Sequence, residues 1–219
     1  KISVRDIGPA MAMGWSGGTT VASTSLIAHL AGLRVFATGG IGGVHREPPY
    51  DVSADLLQLA RTPIIIVCAG AKAILDLPAT LEVLETNSVP VVGYQTNYFP
   101  AFYSVSSGLP VPLRADQPEQ VAEVARCHWN FGLQSAVLVT APPPIEVALA
   151  SDDVQSAIDE ALQAAKAANI RGQAMTPFLL AKVNERTQGA SLKANLGLLL
   201  NNARIAALIS IKLTEILAS

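Results

Sequence analysis

Four short segments rich in β-branched residues recur in the first part of the chain, and each one ends in a turn. They are Leu33 to Thr38, Pro63 to Cys68, Val89 to Tyr94 and Ser135 to Thr140. Because they are largely apolar and do not alternate with polar residues, they are typical of strands that are buried on both faces. A sheet of such strands needs helices on both sides, so the sequence predicts an α/β fold.

Helical segments lie between these strands and fill the end of the chain. Apolar spacing and Ala-rich composition predict helices at Thr20 to Ala31, Ser53 to Ala60, Ala71 to Leu75, Leu77 to Thr86, Pro118 to Phe131, Asp152 to Ala168, Thr176 to Thr187 and Leu192 to Leu217. Ser53 and Ser191 are predicted N-caps. Since almost everything beyond Pro142 is helical, we predict one layered α/β/α domain over residues 1–219, with a central mixed sheet and a helical C-terminal layer.

The composition excludes several classes of protein. The chain is 50% hydrophobic and only 15% charged, which rules out an intrinsically disordered segment. Its net charge of -2 offers no basic surface for nucleic acid or an anionic membrane, so we expect neither as a partner. No apolar run approaches the roughly 20 residues that span a bilayer. Cys68 and Cys127 lie far apart and suit free thiols in a reducing compartment, so a cytoplasmic location is expected.

A glycine-rich segment follows the first predicted strand, where ligands of open α/β sheets gather. Four glycines occupy five positions over 39–43, and His45 and Arg46 come next. Glycines let a backbone approach a ligand and turn its N–H groups toward an anion, to which Arg46 could add charge. An ordinary mobile glycine turn is the alternative interpretation.

A second loop rich in glycine and hydroxyl groups runs from Trp15 to Thr20, directly into a predicted helix. Phosphate is the usual occupant of such a helix N-terminus. The loop lacks the lysine of a Walker motif, which argues against a nucleoside triphosphate. Alternatively, Thr19 or Thr20 is simply the N-cap of the helix.

Lys72 stands just beyond a wholly apolar predicted strand, among small residues. A lysine that is partly desolvated at a strand end has a lowered pKa and can attack a carbonyl to form an imine. The alternatives are a side chain that reaches the surface, or one that binds an anion without reacting.

Asp51 and Asp55 are spaced as i and i+4 around Ser53. On a starting helix this spacing would place both carboxylates on one side, where they could hold a hard divalent cation largely through waters. Favourable charge at a helix N-terminus, with Ser53 as the cap, is an alternative that needs no metal. Among the histidines, only His45 lies in a promising setting, because the others fall on predicted helices.

Together these segments resemble the pseudouridine-5'-phosphate glycosidase family, which includes indigoidine synthase A-like enzymes. The matching motifs span the chain: FATGGIGGVHR at 36–46, DVSADL at 51–56, VCAGAKAILD at 67–76, VPVVGYQT at 89–96, FPAF at 99–102, TPFLLAKVNE at 176–185 and SLKANLGLLLNNA at 191–203. The resemblance implies reversible cleavage of the C–C glycosidic bond of pseudouridine 5'-phosphate to uracil and ribose 5-phosphate.

The resemblance also implies roles for individual residues. It makes Lys72 the nucleophile, which forms an imine with C1 of the ring-opened sugar and so supplies an electron sink. It makes Asp51 the ligand of one Mn²⁺ per subunit, and it implies a homotrimer. The implied substrate-binding residues are Lys1, Val21, Ser53, Ala54 and Asp55, with Thr38 and His45 near the phosphate or sugar and Asn195 near the base.

Two departures from the family pattern touch the ligand side. The family's Asn-Gly-Ala-Thr-Thr is replaced here by residues 16–20, Ser-Gly-Gly-Thr-Thr, and the loop at 47–50 is shorter. These changes favour, as an alternative, a C-glycosynthase that attaches ribose 5-phosphate to another aromatic acceptor in natural-product biosynthesis.

The family's proton-donor glutamate lies in an N-terminal segment before the position that matches Lys1, the first residue here. We therefore expect either that this segment is a separate piece of the same protein or that this chain alone cannot complete the proton transfer. If it is absent altogether, the chain would be a non-catalytic fragment that binds sugar phosphates.

Overall fold

The computed structural model describes residues 1–46, 51–170 and 172–218. The strands are β1 (Val35–Ala37), β2 (Val44–His45), β3 (Ile65–Cys68), β4 (Leu75–Asp76), β5 (Val91–Tyr94), β6 (Leu113–Ala115) and β7 (Val137–Thr140). The α-helices are α1 (Ile7–Met13), α2 (Val21–Leu30), α3 (Ala54–Leu59), α4 (Leu77–Thr86), α5 (Pro118–Asn130), α6 (Ser151–Ala167), α7 (Met175–Arg186) and α8 (Ala190–Ala218). Short 3₁₀ turns lie at Val4–Asp6 and Gly172–Ala174.

Five strands form the central sheet in the order β1-β3-β7-β5-β6, and all the neighbouring pairs are parallel. The predicted layered α/β fold is confirmed, but this sheet is parallel where a mixed sheet was expected. Parallel neighbours need long crossover connections, and α3, α4 and α5 lie in such connections. Antiparallel pairing is confined to β2 and β4, which form a separate two-stranded sheet.

The central strands are buried on both faces, as their apolar sequences predict. Every residue of β3, β5 and β7 is buried. In β3, Ile66 packs in a cluster with Leu56 of α3 and Leu84 of α4. Its neighbour Val67 packs on the other side, against α5 and the second half of α8. Alternation along a strand therefore supplies both apolar layers.

The C-terminal helices are divided between these two layers, so they do not form the single C-terminal layer that the sequence predicts. Helices α6 and α7 pack in the cluster that contains Ile66. Helix α8 begins in that cluster with Leu198 and ends in the other with Ile209 and Leu213. In the described part of the chain, α8 is the one helix long and apolar enough to cross a membrane. One side of it packs against β1, β3 and α5, while Leu200 and Ile211 on it are exposed.

Most predicted helices and strands are present within a few residues of their expected ends, with two instructive differences. The predicted helix at Ala71 to Leu75 is a turn followed by β4. Its backbone bonds to the glycine loop instead, since the N–H of Lys72 donates to the carbonyl of Ile41 at 3.1 Å. Ser53 caps α3 as expected, whereas Ser191 lies inside α8, because that helix already begins at Ala190.

Truncation of a buried strand residue should test the double-sided burial of the sheet. Ile66 is fully buried, so Ile66→Ala should lower the free energy of unfolding by about 2–5 kcal/mol through lost contacts and a cavity. Ile145 is 80% exposed, so Ile145→Ala should change it by less than about 0.5 kcal/mol. Urea unfolding followed by circular dichroism measures both, and equal losses would contradict the packing described above.

Candidate active site

A cavity of about 650 Å³ opens where β1 and β3 end. Its wall comes from the start of the chain, the first turn of α2, the glycine loop, residues 51–55, the turn after β3, and helices α7 and α8. The carboxyl ends of neighbouring parallel strands meet at one edge of a sheet, so segments distant in sequence converge there. The cavity is thus where the fold predicts a ligand site.

All the residues predicted from the sequence to serve the site line this one cavity. They are Lys1, Val21, Thr38, His45, Asp51, Ser53, Ala54, Asp55, Lys72 and Asn195. The structure therefore brings together the predicted nucleophile, the predicted metal ligand and the predicted sugar-phosphate contacts. Their individual roles remain predictions.

The glycine loop is rigidly packed. A Cβ on Gly40 would lie 2.6 Å from the ring of Phe102, and one on Gly42 would lie 2.2 Å from Oγ of Ser53. These glycines are required by close approach, because any side chain would collide with its neighbours. Close packing of this kind favours a constrained loop over the alternative of a mobile turn.

The expected anion-binding role of this loop is only partly possible. The N–H of Ile41 donates to the carbonyl of Gly70 at 3.1 Å, and that of Val44 donates to Oγ1 of Thr80 at 3.0 Å. The N–H of Gly42 donates to the carboxylate of Asp55. Since these three donors are used within the protein, they do not point at a ligand.

Arg46 turns away from the cavity, contrary to the expectation that it adds charge beside the loop. Its guanidinium donates to the carbonyls of Ala73 and Leu75 and lies 3.7 Å from the carboxylate of Asp159. A cation that the sequence reasoning missed, Arg5, lines the cavity with Lys1. Their i and i+4 spacing at the start of the chain was the available signal.

The first turn of α2 confirms the simpler interpretation of its loop. Thr20 is the N-cap, and its hydroxyl accepts from the N–H of Ser23 at 3.2 Å. The N–H of Ile2 donates to Gly18 and its carbonyl accepts from Thr20, at 2.8 and 3.0 Å. This pairing fixes the neighbouring Lys1 at the cavity. Residues 16–18, where the family pattern changes, are not part of the described cavity wall.

Lys72 is partly buried at the end of β3, and its side chain lines the cavity. Desolvation lowers the pKa of this amine, the carboxylate of Asp55 opposes that effect, and the charge of Lys1 adds to it. A lowered pKa leaves more of the amine unprotonated at neutral pH, which is the form that attacks a carbonyl. The position therefore favours a reactive lysine over one that extends into solvent.

His45 belongs to β2, whose pairing with β4 holds it at the cavity. Burial lowers its imidazole pKa, and the cations Lys1 and Lys72 lower it further, while Asp51 raises it. The net lowering favours the neutral imidazole at pH 7. His45 is therefore suited to hydrogen bonding rather than to carrying a positive charge.

Asp51 and Asp55 both line the cavity, but they do not share a helix face as predicted. Asp51 precedes α3, and its backbone carbonyl accepts from the N–H of His45 at 2.8 Å. Its carboxylate accepts no hydrogen bond from any residue in the described ranges. Asp55 lies in the first turn of α3 and is buried, and both its oxygens are bonded to backbone N–H groups.

The donor set limits the kind of metal ion that the cavity could take. Within the described ranges, no three Cys, His, Asp or Glu side chains could surround one ion. A hard divalent cation does not need three protein ligands. It can keep several waters, bind one carboxylate and take its remaining ligands from substrate oxygens. Asp51 alone fits that arrangement, because its carboxylate is free of described partners.

The apolar side of the cavity was missed from sequence. It is formed by Phe102 in the loop that connects β5 to β6, by Leu180 of α7 and by Leu199 of α8. Leu199 lies one helical turn beyond Asn195. Helical spacing was visible, but which face of α7 and α8 turns inward depends on tertiary packing. Asn202 holds α8 in place, because its buried side chain donates to the carbonyl of Thr38 at 2.8 Å.

Comparison with known proteins places this arrangement among related enzymes. The family model described as indigoidine synthase A like protein matches residues 1–212. The pseudouridine-5'-phosphate glycosidase of Gemmatimonas aurantiaca is 57% identical, over 98% of this chain and 70% of that protein. The enzyme of the same name from Herpetosiphon aurantiacus is 54% identical, over 98% of this chain and 72% of its own length.

Solved structures agree with these matches. The prealnumycin C-glycosynthase AlnA, in complex with ribulose 5-phosphate, superposes with a TM-score of 0.93 at 42% identity, over 99% of this chain and 72% of that one. An indigoidine synthase A-like protein from Thermotoga maritima gives a TM-score of 0.90 at 37% identity, over 97% and 70%. From its motifs, its cavity and these matches, the chain belongs to the indigoidine synthase A-like family.

Proposed function

We propose that this protein breaks or forms the C–C glycosidic bond between ribose 5-phosphate and a base, with Lys72 as the nucleophile. The observation that carries the proposal is the placement of Lys72. Its amine, with a lowered pKa, lies in one cavity with the cationic side chains of Lys1 and Arg5. Relatives named pseudouridine-5'-phosphate glycosidase at 57% and 54% identity support the same chemistry.

In the cleavage direction the neutral amine attacks C1 of the ribosyl ring and forms a C–N bond as the bond from C1 to the ring oxygen breaks. The ring oxygen takes up a proton and becomes a hydroxyl, while the nitrogen loses a proton and so regains its lone pair. The nitrogen lone pair then forms an iminium as the C–C bond breaks, and its electrons leave with the base, whose carbon is protonated. Water hydrolyses the iminium, which releases ribose 5-phosphate and regenerates Lys72. Synthesis is the reverse of these steps.

The polar end of the cavity is suited to a sugar phosphate. Lys1 and Arg5 supply positive charge, and the hydroxyls of Thr19, Thr20 and Ser53 supply hydrogen bonds. Charge-assisted bonds of this kind are the strong contacts of a phosphate site. We propose that the phosphate binds at this end, which leaves C1 toward Lys72.

Asp51 is the residue that we propose for a divalent cation, Mn²⁺ by family resemblance. Bound there, the ion would neutralise negative charge on the substrate oxygens. The chain's own contribution is to hold the carboxylate of Asp51 at the cavity wall, through the hydrogen bond from His45 to its backbone.

The acceptor binds, in this proposal, at the apolar end of the cavity. Apolar contacts come from Leu180, Leu199 and Phe102. The amide of Asn195 can both donate hydrogen bonds to and accept them from a heterocycle such as uracil. The structural similarity to AlnA favours a second candidate, attachment of ribose 5-phosphate to another aromatic acceptor. A non-catalytic sugar-phosphate-binding role is the third. A homotrimer and a cytoplasmic location remain predictions.

Reductive trapping tests the nucleophile. Borohydride with ribose 5-phosphate should fix one pentose phosphate on Lys72, as read by peptide mass spectrometry, because reduction converts the imine to a stable amine. Lys72→Ala should abolish trapping. Lys182, which pairs with Glu185 on the surface of α7, gives the matched control, and Lys182→Ala should trap as well as the wild type. Equal trapping by Lys72→Ala would overturn the proposal.

Metal titration tests Asp51. Asp51→Asn should weaken activation by Mn²⁺ at least about tenfold, since an amide is a poorer ligand for a hard cation than a carboxylate. Asp116 pairs with Arg114 on the surface, so Asp116→Asn serves as the control and should leave the titration unchanged. An unchanged titration in Asp51→Asn would remove this residue from the metal site.

An acceptor assay separates the candidate activities. Ribose 5-phosphate incubated with uracil should give pseudouridine 5'-phosphate if the first candidate is correct, as followed by liquid chromatography and mass spectrometry. A product with a polycyclic aromatic acceptor, and none with uracil, would favour the C-glycosynthase. Binding of ribose 5-phosphate without a product from either acceptor would favour the non-catalytic role.

A further inference from the structure

Asp55 is the one charged side chain that is fully buried in the described part of the chain, with 4% of its surface exposed. No salt bridge to it is present among the described residues. A buried carboxylate that forms no salt bridge is costly unless its oxygens accept hydrogen bonds. The groups that donate hydrogen bonds to Asp55 therefore indicate its structural role.

Both oxygens of this carboxylate accept from backbone N–H groups of other segments. Oδ1 accepts from Ala22 in the first turn of α2 at 2.8 Å, and Oδ2 accepts from Gly42 in the glycine loop at 2.7 Å. The N–H of Asp55 itself donates to Oγ of Ser53 at 3.2 Å. One side chain thus joins three segments that are distant in sequence.

These three segments are walls of the cavity. Two bonded partners of Asp55, Gly42 and Ser53, line it, and so does Val21, which is next to the third partner, Ala22. The glycine loop also fits closely around the carboxylate, since a Cβ on Gly42 would lie 2.8 Å from Oδ2. Bonds from N–H groups to an ionised acceptor are stronger than neutral ones, so the separation of the walls is well defined.

We propose that Asp55 is a positioning residue that fixes α2 and the glycine loop around the cavity and keeps a negative charge beside Lys72, and that its carboxylate does not bind the substrate. Family resemblance places Asp55 in a substrate-binding segment, and the proposal gives its side chain a positioning role within that segment. The inference rests on the proposed function only in treating Lys72 as the reactive amine.

The charge of Asp55 has a predictable effect on that amine. Burial lowers the pKa of Lys72, and Lys1 lowers it further, while Asp55 and the buried thiol of Cys68 raise it. His45 also lies within electrostatic range of Lys72. Removing the carboxylate should therefore lower the pKa of Lys72, so that the amine reacts at lower pH.

Two measurements on the ligand-free protein test this role with Asp55→Asn, which keeps the shape of the side chain. Hydrogen exchange by NMR should become roughly ten- to hundredfold faster at the amides of Ala22 and Gly42, because a neutral amide cannot accept both bonds. Competitive acetylation of Lys72 with acetic anhydride, read by peptide mass, should reach half-maximum at lower pH than in the wild type.

The control is Asp76→Asn. Asp76 caps α4 by accepting from the N–H of Ala79 at 3.0 Å and is not part of the described cavity wall. This variant should change exchange in α4 but leave the acetylation profile of Lys72 unchanged.

Unchanged exchange and acetylation in Asp55→Asn, with weaker binding of ribose 5-phosphate, would overturn the proposal in favour of a substrate ligand. If this variant does not fold, wild-type NMR decides. Couplings across the hydrogen bonds from the amides of Ala22 and Gly42 to the Asp55 carboxyl carbon should then be detected in the ligand-free protein, and their absence would overturn the proposal. Neither measurement uses substrate, so failed trapping at Lys72 would reject the proposed function and leave this test intact.

Discussion

Parallel pairing of β1 with β3 is the interaction on which the site depends. It continues beyond the strands, because the N–H of Ala69 donates to Gly39 and the N–H of Lys72 donates to Ile41. The segments that follow β1 and β3 therefore leave the sheet side by side, and the glycine loop lies against the turn that carries Lys72. Without this shared register, the predicted nucleophile and the polar wall of the cavity would belong to separate loops.

The scarcity of charge in the interior makes the few charges at the cavity effective. Only 15% of the chain is charged, and the strands below the cavity are apolar on both faces. Desolvation is accordingly the main cause of the lowered pKa values of Lys72 and His45. A single carboxylate, Asp55, acts against it at Lys72. In a more polar interior the same groups would be screened, and neither pKa would move as far.

Local pattern was enough to predict most of the fold, because apolar runs and capping residues determine strands and helices within a few residues. The helix predicted at Ala71 to Leu75 is absent. The small residues of this segment suit a helix, but its backbone bonds to the distant glycine loop. The prediction that Arg46 adds charge beside the glycine loop was wrong for a similar reason, because its guanidinium donates to the backbone carbonyls of Leu75 and Ala73. Family resemblance identified residues that line the site, but it could not show that each oxygen of Asp55 accepts a backbone hydrogen bond from another segment.

The two ends of the cavity are built in different ways. The end around Lys72 is fixed by backbone hydrogen bonds and by glycines that admit no side chain. The apolar end, where we propose that the acceptor binds, consists of side chains such as Leu180 and Leu199 on two helices, where substitution changes shape without disturbing the sheet. Substitutions on the α7 and α8 surfaces would therefore alter the apolar end of the cavity without disturbing the backbone around Lys72.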